Sequence, residues 1–130
     1  MPRDEPIDLS SLLPTLRSAA QVDTSAHGPR RYVAEILVND AAAAYPSVGP
    51  DRKLPHGALV VEALRSAPDL PAEGYLAMRK RAPGFYPDGG DWAYSAYGSD
   101  GRPLDTGANA LCARCHAEAP SDWLFGPPGR

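Results

Sequence analysis

Two cysteines and a histidine near the C-terminal end of the sequence are the residues best suited to carry chemistry. Cys112 and Cys115 are separated by two residues, and His116 follows directly. On a helical turn, thiols three positions apart lie on one side, where both can reach the vinyl groups of a haem. The adjacent imidazole can then ligate the iron. The pattern predicts one covalent haem c on Cys112 and Cys115, with His116 as the proximal iron ligand.

Two other kinds of site use similar residues. A redox-active disulfide also uses a Cys-x-x-Cys pair, but that pair normally follows a strand in a βαβ unit, a pattern that this sequence does not show. A structural zinc site needs about four ligands. The motif supplies three, so His27 or His56 would have to complete the set at an unusual spacing. Haem attachment is the favoured interpretation, and the other two stay open.

The bulk properties exclude several classes of function. The chain has 130 residues and a net charge of −3, which fits one domain. Its basic residues are scattered, so we expect no nucleic-acid partner. No apolar run approaches the roughly 20 residues of a membrane span, and the first residues lack the apolar centre of a signal peptide. Because haem c is attached outside the bacterial cytoplasm, we expect an exported, periplasmic protein whose signal is missing from this sequence.

Fifteen prolines and twelve glycines divide the chain into short elements. Residues 1–30 are predicted to form a leader with a short amphipathic helix over 10–19, and residues 31–130 a single haem c domain. Hydrophobic and β-branched runs predict four strands; they cover 31–38, 58–64, 74–80 and 91–97, with a turn at 54–57 and another at 99–101. Asn39 is expected to cap a helical turn over 41–44.

The predicted fold class is therefore α+β, a mainly antiparallel sheet with short helices. A helical segment near the C-terminus, residues 108–117, is predicted to carry the haem motif.

From about residue 31 to residue 125 the chain resembles the cytochrome P-460 family, which includes the cytochromes c′-beta. The sequence HGALVVE, ending at Glu62, is similar to the family's D-G-x-V-x-V-K segment. Five other segments carry the likeness in the same order; they are 32–40, 78–80, 84–94, 112–116 and 122–125. The order and spacing of these segments, which span about three-quarters of the chain, carry the resemblance.

The resemblance implies a mostly antiparallel β fold with helices, usually in a homodimer. It also implies a high-spin, five-coordinate haem that His116 ligates on one side and that is open on the other. Members of the family bind nitric oxide or carbon monoxide, or oxidise hydroxylamine. The hydroxylamine-oxidising members carry a lysine joined to the porphyrin. Glu62 stands at that position here, and the only lysines are Lys53 and Lys80, which argues against the cross-link.

Glu62 is the candidate catalytic residue. Side chains alternate along a strand, so Glu62 is expected on the same face as Ala58, Val60 and Leu64. If that face meets the haem, a carboxyl group lies on the distal side, where burial would raise its pKa and suit it to donate or accept a proton. The alternative is a surface carboxylate paired with an arginine, for which the sequence offers Arg65 and Arg79.

Other residues are candidates for the surroundings of the haem. Phe85 and Tyr94 are expected to line the pocket, although most aromatic residues of a sheet simply pack the core. Arg79, and with it Arg81, is expected to pair with haem propionates, because guanidinium matches carboxylate geometry; an exposed arginine is the alternative. Met78 or His56 would be the sixth ligand of an electron-transfer cytochrome, although a strand methionine is more often core filling.

These observations predict a mono-haem cytochrome that binds or redox-converts small ligands such as nitric oxide, carbon monoxide or a hydroxylamine-like compound. One alternative is a six-coordinate electron carrier that meets a redox partner protein. Another is an oxidoreductase that acts on hydroxylamine, through a lysine cross-link, or on peroxide.

Overall fold

The computed structural model describes residues 7–22, 32–43, 45, 53–87 and 90–105. Within these ranges the chain forms a six-stranded antiparallel sheet in which each strand pairs with the next along the chain. The strands are β1 Arg17–Val22, β2 Val33–Val38, β3 Leu59–Arg65, β4 Gly74–Lys80, β5 Trp92–Gly98 and β6 Pro103–Asp105. The mainly antiparallel sheet is confirmed, whereas the predicted haem-bearing helix lies outside the described residues.

The first face of the sheet, here called the Glu62 face, carries a hydrophobic cluster. In β2, buried and half-buried residues alternate, so Ile36 and Val38 point to this face. Val60, Met78 and Tyr94 join them from the next three strands in register. Residues from the connecting segments pack on one end of this cluster; they are Ala42, Tyr45, Leu54, Ala58 and Tyr86.

The opposite face, here called the helix face, packs against the N-terminal helix α1, Leu9–Leu12. Leu9 is fully buried beside Val61 and Tyr97 of the sheet. Asp8 caps this helix, and hydrogen bonds from the hydroxyls of Ser11 and Ser10 lower the pKa of its carboxyl group. The sheet is thus apolar on both sides, with α1 packed on one of them and residues of the connecting segments packed on the other.

The predicted helix over residues 10–19 is wrong in its second half. The helix continues only through a single 3-10 turn, Leu13–Thr15, and Leu16 is already extended. β1 then begins at Arg17 and pairs with β2, so the segment before residue 31 supplies one strand of the sheet. The register shifts between Ser18 and Ala20, which marks an irregularity in this edge strand.

Asn39 links β2 to the start of β3 through its side chain. Its Oδ1 accepts hydrogen bonds from the backbone N–H groups of Ala42, at 3.1 Å, and Leu59, at 3.0 Å. Its Nδ2 donates to the carbonyl of Gly57 at 2.9 Å. The predicted capping role is confirmed for the 3-10 turn Asp40–Ala42. The additional bonds hold the turn that leads into β3 and thereby fix the strand that carries Glu62.

No helix in the described ranges is long and apolar enough to cross a lipid bilayer.

Candidate functional site

The residues of the haem motif, Cys112, Cys115 and His116, lie outside the described residues, and so does His27. The structure does place the residues that were predicted to surround the haem. Their positions show which of these residues lie on the same face of the sheet.

Glu62 lies in the middle of β3 and is half-buried. It stands opposite Ile36 of β2 and Leu76 of β4, and it shares its face with Val60 and Leu64. The predicted placement of Glu62 among apolar residues on one face is therefore confirmed. A carboxyl group in such surroundings is less screened by solvent than an exposed one, which is the setting that acid–base chemistry uses.

The predicted alternative partners of Glu62 lie on the other side of the sheet. The side chain of Arg65 contacts Glu35, with 3.3 Å between the guanidinium nitrogen and the carboxylate oxygen. It also donates to the carbonyl oxygen of Leu70 at 2.9 Å. Arg79 stands opposite Leu59 and belongs to the helix face.

Met78 and Tyr94 are paired directly across β4 and β5 on the Glu62 face. Both are buried, with 8% and 3% of their surface exposed, and both pack in the cluster that contains Val60. Tyr94 was predicted to line the pocket, and it lies on the face that carries Glu62. Met78, the candidate sixth ligand, lies on the same face and contributes to its apolar core.

The structure does not bring Arg79 to this surface. Side chains alternate along β4, so Arg79 points away from Met78 and stands opposite Ala93 of β5. Phe85 lies in the loop after β4 and is half-buried, with the Arg81 guanidinium 5.4 Å from the centre of its ring. Of the three predicted pocket residues, only Tyr94 shares a sheet face with Glu62.

The loop that carries Phe85 is closed by hydrogen bonds at its base. The backbone N–H of Arg81 donates to the carbonyl of Asp91 at 2.9 Å. The N–H of Asp91 in turn donates to the carbonyl of Tyr86, and the Asp91 carboxylate accepts from the N–H of Tyr86 at 2.9 Å. Asp91 has a φ of 62°, a conformation that costs free energy for a residue with a side chain. These bonds hold Tyr86 against the Glu62 face.

His56, the other candidate sixth ligand, is exposed in the turn before β3. The N–H of Ala58 donates to the carbonyl of Pro55 at 3.0 Å, and Gly57 adopts a φ of 95° that favours glycine. The predicted turn is confirmed.

The sequence pointed to Lys80 only as a candidate for the cross-link and did not predict its burial. Only 7% of its surface is exposed, and its Nζ lies 4.8 Å from the centre of the Trp92 ring. Lys80 shares a strand with Met78 two positions away, so both belong to the Glu62 face. The alternation that placed Glu62 could have placed Lys80 as well, although its burial could not be expected from its residue type.

Among the described residues, no group of three or more histidine, cysteine or acidic residues is placed to hold a metal ion. No protein-family model matches the chain, and no curated protein matches it. The class that the described residues define is a six-stranded antiparallel sheet with an apolar core on each side. Any function assigned to it depends on the chemistry of its own residues.

Proposed function

We propose that this protein is a mono-haem c-type cytochrome that binds or redox-converts small diatomic or nitrogen-oxide ligands. The observation that carries the proposal is the order of donor groups in Cys112, Cys115 and His116. Two thiols and an imidazole in this spacing suit thioether attachment and axial ligation of one iron porphyrin. The haem, when bound, supplies the ligand-binding and one-electron chemistry.

The Glu62 face carries the apolar side chains that would surround a porphyrin. Met78, Tyr94 and Val60 form a buried apolar cluster in the centre of the sheet, with residues of the connecting segments packed at one end. We infer that the haem, when bound, lies against the Glu62 face at Glu62, whose side chain is half-buried. There Met78 and Tyr94 would exclude water from the ligand site, and the Glu62 carboxyl oxygens would hold or accept a proton.

The resemblance to the cytochromes c′-beta supports a haem whose one protein ligand is His116 and whose distal position is open. The same resemblance supports a homodimer, and the attachment of haem c outside the bacterial cytoplasm supports an exported location. An electron carrier is the second candidate, because Met78 is the only sulfur ligand among the described residues and lies on the Glu62 face. As an electron carrier, the protein would act with a redox partner protein.

Optical spectra of the ferric and ferrous holoprotein, recorded with and without carbon monoxide, test this proposal. We expect a high-spin ferrous spectrum. Low concentrations of carbon monoxide should convert it to the spectrum of a low-spin carbon monoxide complex, because no protein ligand would have to leave the iron. A low-spin ferrous spectrum that does not change when carbon monoxide is added would instead favour the electron carrier with Met78 as sixth ligand. A strongly red-shifted ferrous band would favour the hydroxylamine-oxidising alternative with a lysine cross-link.

The substitution Glu62→Gln tests the proton-handling part of the proposal. Glutamine keeps the size of the side chain and removes the group that ionises. If Glu62 exchanges protons with a ligand, the rate of hydroxylamine or peroxide conversion should fall about 10²-fold or more, and its pH dependence should flatten. Glu35→Gln, on the helix face, is the matched control and should keep the wild-type pH profile. A wild-type profile in Glu62→Gln would remove Glu62 from the chemistry.

A further inference from the structure

The Glu62 face is covered at one end and half-exposed at the other. The strand register places Val60, Met78 and Tyr94 in one row across the sheet, and Lys80 and Trp92 in the next row. All five residues are at most 8% exposed. In the opposite direction along the strands, the side of β3, β4 and β5 that belongs to this face becomes half-exposed. The half-exposed residues, here called the Leu76 patch, are Glu62, Leu64, Gly74, Leu76, Ala96 and Gly98.

The Leu76 patch is flat and mostly apolar. In its first row, Leu76 stands between Glu62 and Ala96. In its second row, Gly74 and Gly98 face each other across β4 and β5, and neither adds a side chain to the surface. Within the described residues, Leu76 and Ala96 belong to neither of the two core clusters. A flat apolar group can therefore approach the backbone of β4 and β5 closely, and covering the patch would remove apolar surface from water.

The described part of the chain ends beside this patch. Asp105, the last described residue, is paired with Ala96 of β5. Cys112 follows seven positions later, and seven extended residues span at most about 25 Å. From β6 to β3 the sheet is three strand spacings wide, about 14 Å. A group attached to Cys112 can therefore reach every part of the patch without any rearrangement of the sheet.

We propose that one side of the porphyrin covers the Leu76 patch, with Leu64, Leu76 and Ala96 in contact with the ring. The inference rests on the proposed function, since it requires a covalent haem. The two buried rows of the same face offer no surface to the ring, because protein already covers them. The patch offers apolar side chains of moderate size, and it brings the ring beside Glu62, which lies next to the covered rows.

Proton NMR of the ferrous carbon monoxide complex tests this contact in the wild-type holoprotein. The complex is diamagnetic, and the ring current of a porphyrin shifts the resonances of protons that lie over its face. The methyl resonances of Leu64, Leu76 and Ala96 should therefore shift upfield and show nuclear Overhauser contacts with haem protons. Leu59 is the matched control, because it lies on β3 as Leu64 does but points to the helix face. Its methyl resonances should show neither effect.

The substitution Ala96→Phe tests the same contact by filling the patch. The larger side chain would push the ring away from β5, so the circular dichroism of the Soret band should lose amplitude. The intact mass should still include one haem, because the thioether bonds do not depend on the patch. Ala82→Phe, in the exposed part of the loop after β4, is the control and should keep the wild-type Soret circular dichroism.

The outcomes separate this inference from the proposed function. A wild-type protein without covalent haem would contradict the proposed function itself. A haem-loaded protein with ordinary methyl shifts for Leu64, Leu76 and Ala96 would overturn the inference and leave the haem assignment in place. In that case protein would cover the patch, and a dependence of these shifts on protein concentration would identify a second copy of the chain. If Ala96→Phe does not fold, the NMR spectrum of the wild type decides the question.

Discussion

Replacement of both Cys112 and Cys115 by alanine should reduce the intact mass of the protein by one haem beyond the change in the side chains. The two thioether bonds are the covalent links that the motif predicts, and alanine can form neither. Mass spectrometry of the denatured protein, produced in cells that can attach haem c, measures the effect directly. The wild type should weigh the polypeptide plus one haem, and the double variant should weigh the polypeptide alone.

Single variants provide the control for this experiment. Cys112→Ala and Cys115→Ala each leave one thiol, so each can still retain a haem through a single thioether bond. If the double variant kept its haem, the attachment would lie elsewhere in the chain. A wild-type protein without haem would revive the alternatives: a mass lower by the hydrogens of a closed disulfide, or zinc in a native mass spectrum.

Local sequence signals predicted the central strands of the sheet. β4 occupies the predicted residues, and the predicted bounds of β3 and β5 differ from the observed ones by one residue at each end. These strands combine apolar and aromatic residues with glycine-containing turns on either side, such as the turn at Gly57. Strand formation there depends on residues that are close in the sequence, so a single sequence contains the necessary information.

The two edge strands were not predicted, because what stabilises them is not local. β1 has the sequence RSAAQV, in which only the last residue is β-branched. The leucine-rich segment before it suggested that a helix would continue into these residues. It forms because the exposed edge of β2 offers unpaired backbone groups for hydrogen bonds, and this pairing outweighs the low strand propensity. β6 has only three residues and begins with Pro103, so no periodicity could reveal it.

The candidate site also combines features that local sequence predicts with features that depend on tertiary contacts. Alternation along a strand placed Glu62 correctly, since the rule needs only the location of β3. The prediction that grouped Arg79 with Tyr94 considered the charge of an arginine without the alternation of β4, which turns Arg79 away and Lys80 inward. The burial of Lys80 depends on Trp92 and on the connecting segments that cover this end of the sheet. Such tertiary contacts leave no local sequence signal.

The substitution Trp92→Ala should lower the free energy of unfolding by about 3–5 kcal/mol, the range for removing a large aromatic side chain from a core. Trp92 is fully buried at the end of the Glu62 face, in the cluster that contains Tyr45 and Leu54. Its removal would leave a cavity beside the Lys80 ammonium group, in the space that the ring occupies. Since small domains are stable by only about 5–15 kcal/mol, this loss would be a large part of the total.

Chemical denaturation followed by circular dichroism measures this effect without relying on tryptophan fluorescence. The denaturant midpoint of Trp92→Ala should fall while the slope of the transition stays unchanged. Leu104→Ala is the matched control, because the Leu104 side chain is 72% exposed and its loss should change stability by less than about 0.5 kcal/mol. If Trp92→Ala destabilised the protein no more than Leu104→Ala, the Glu62 face would lack a tightly packed core at this end.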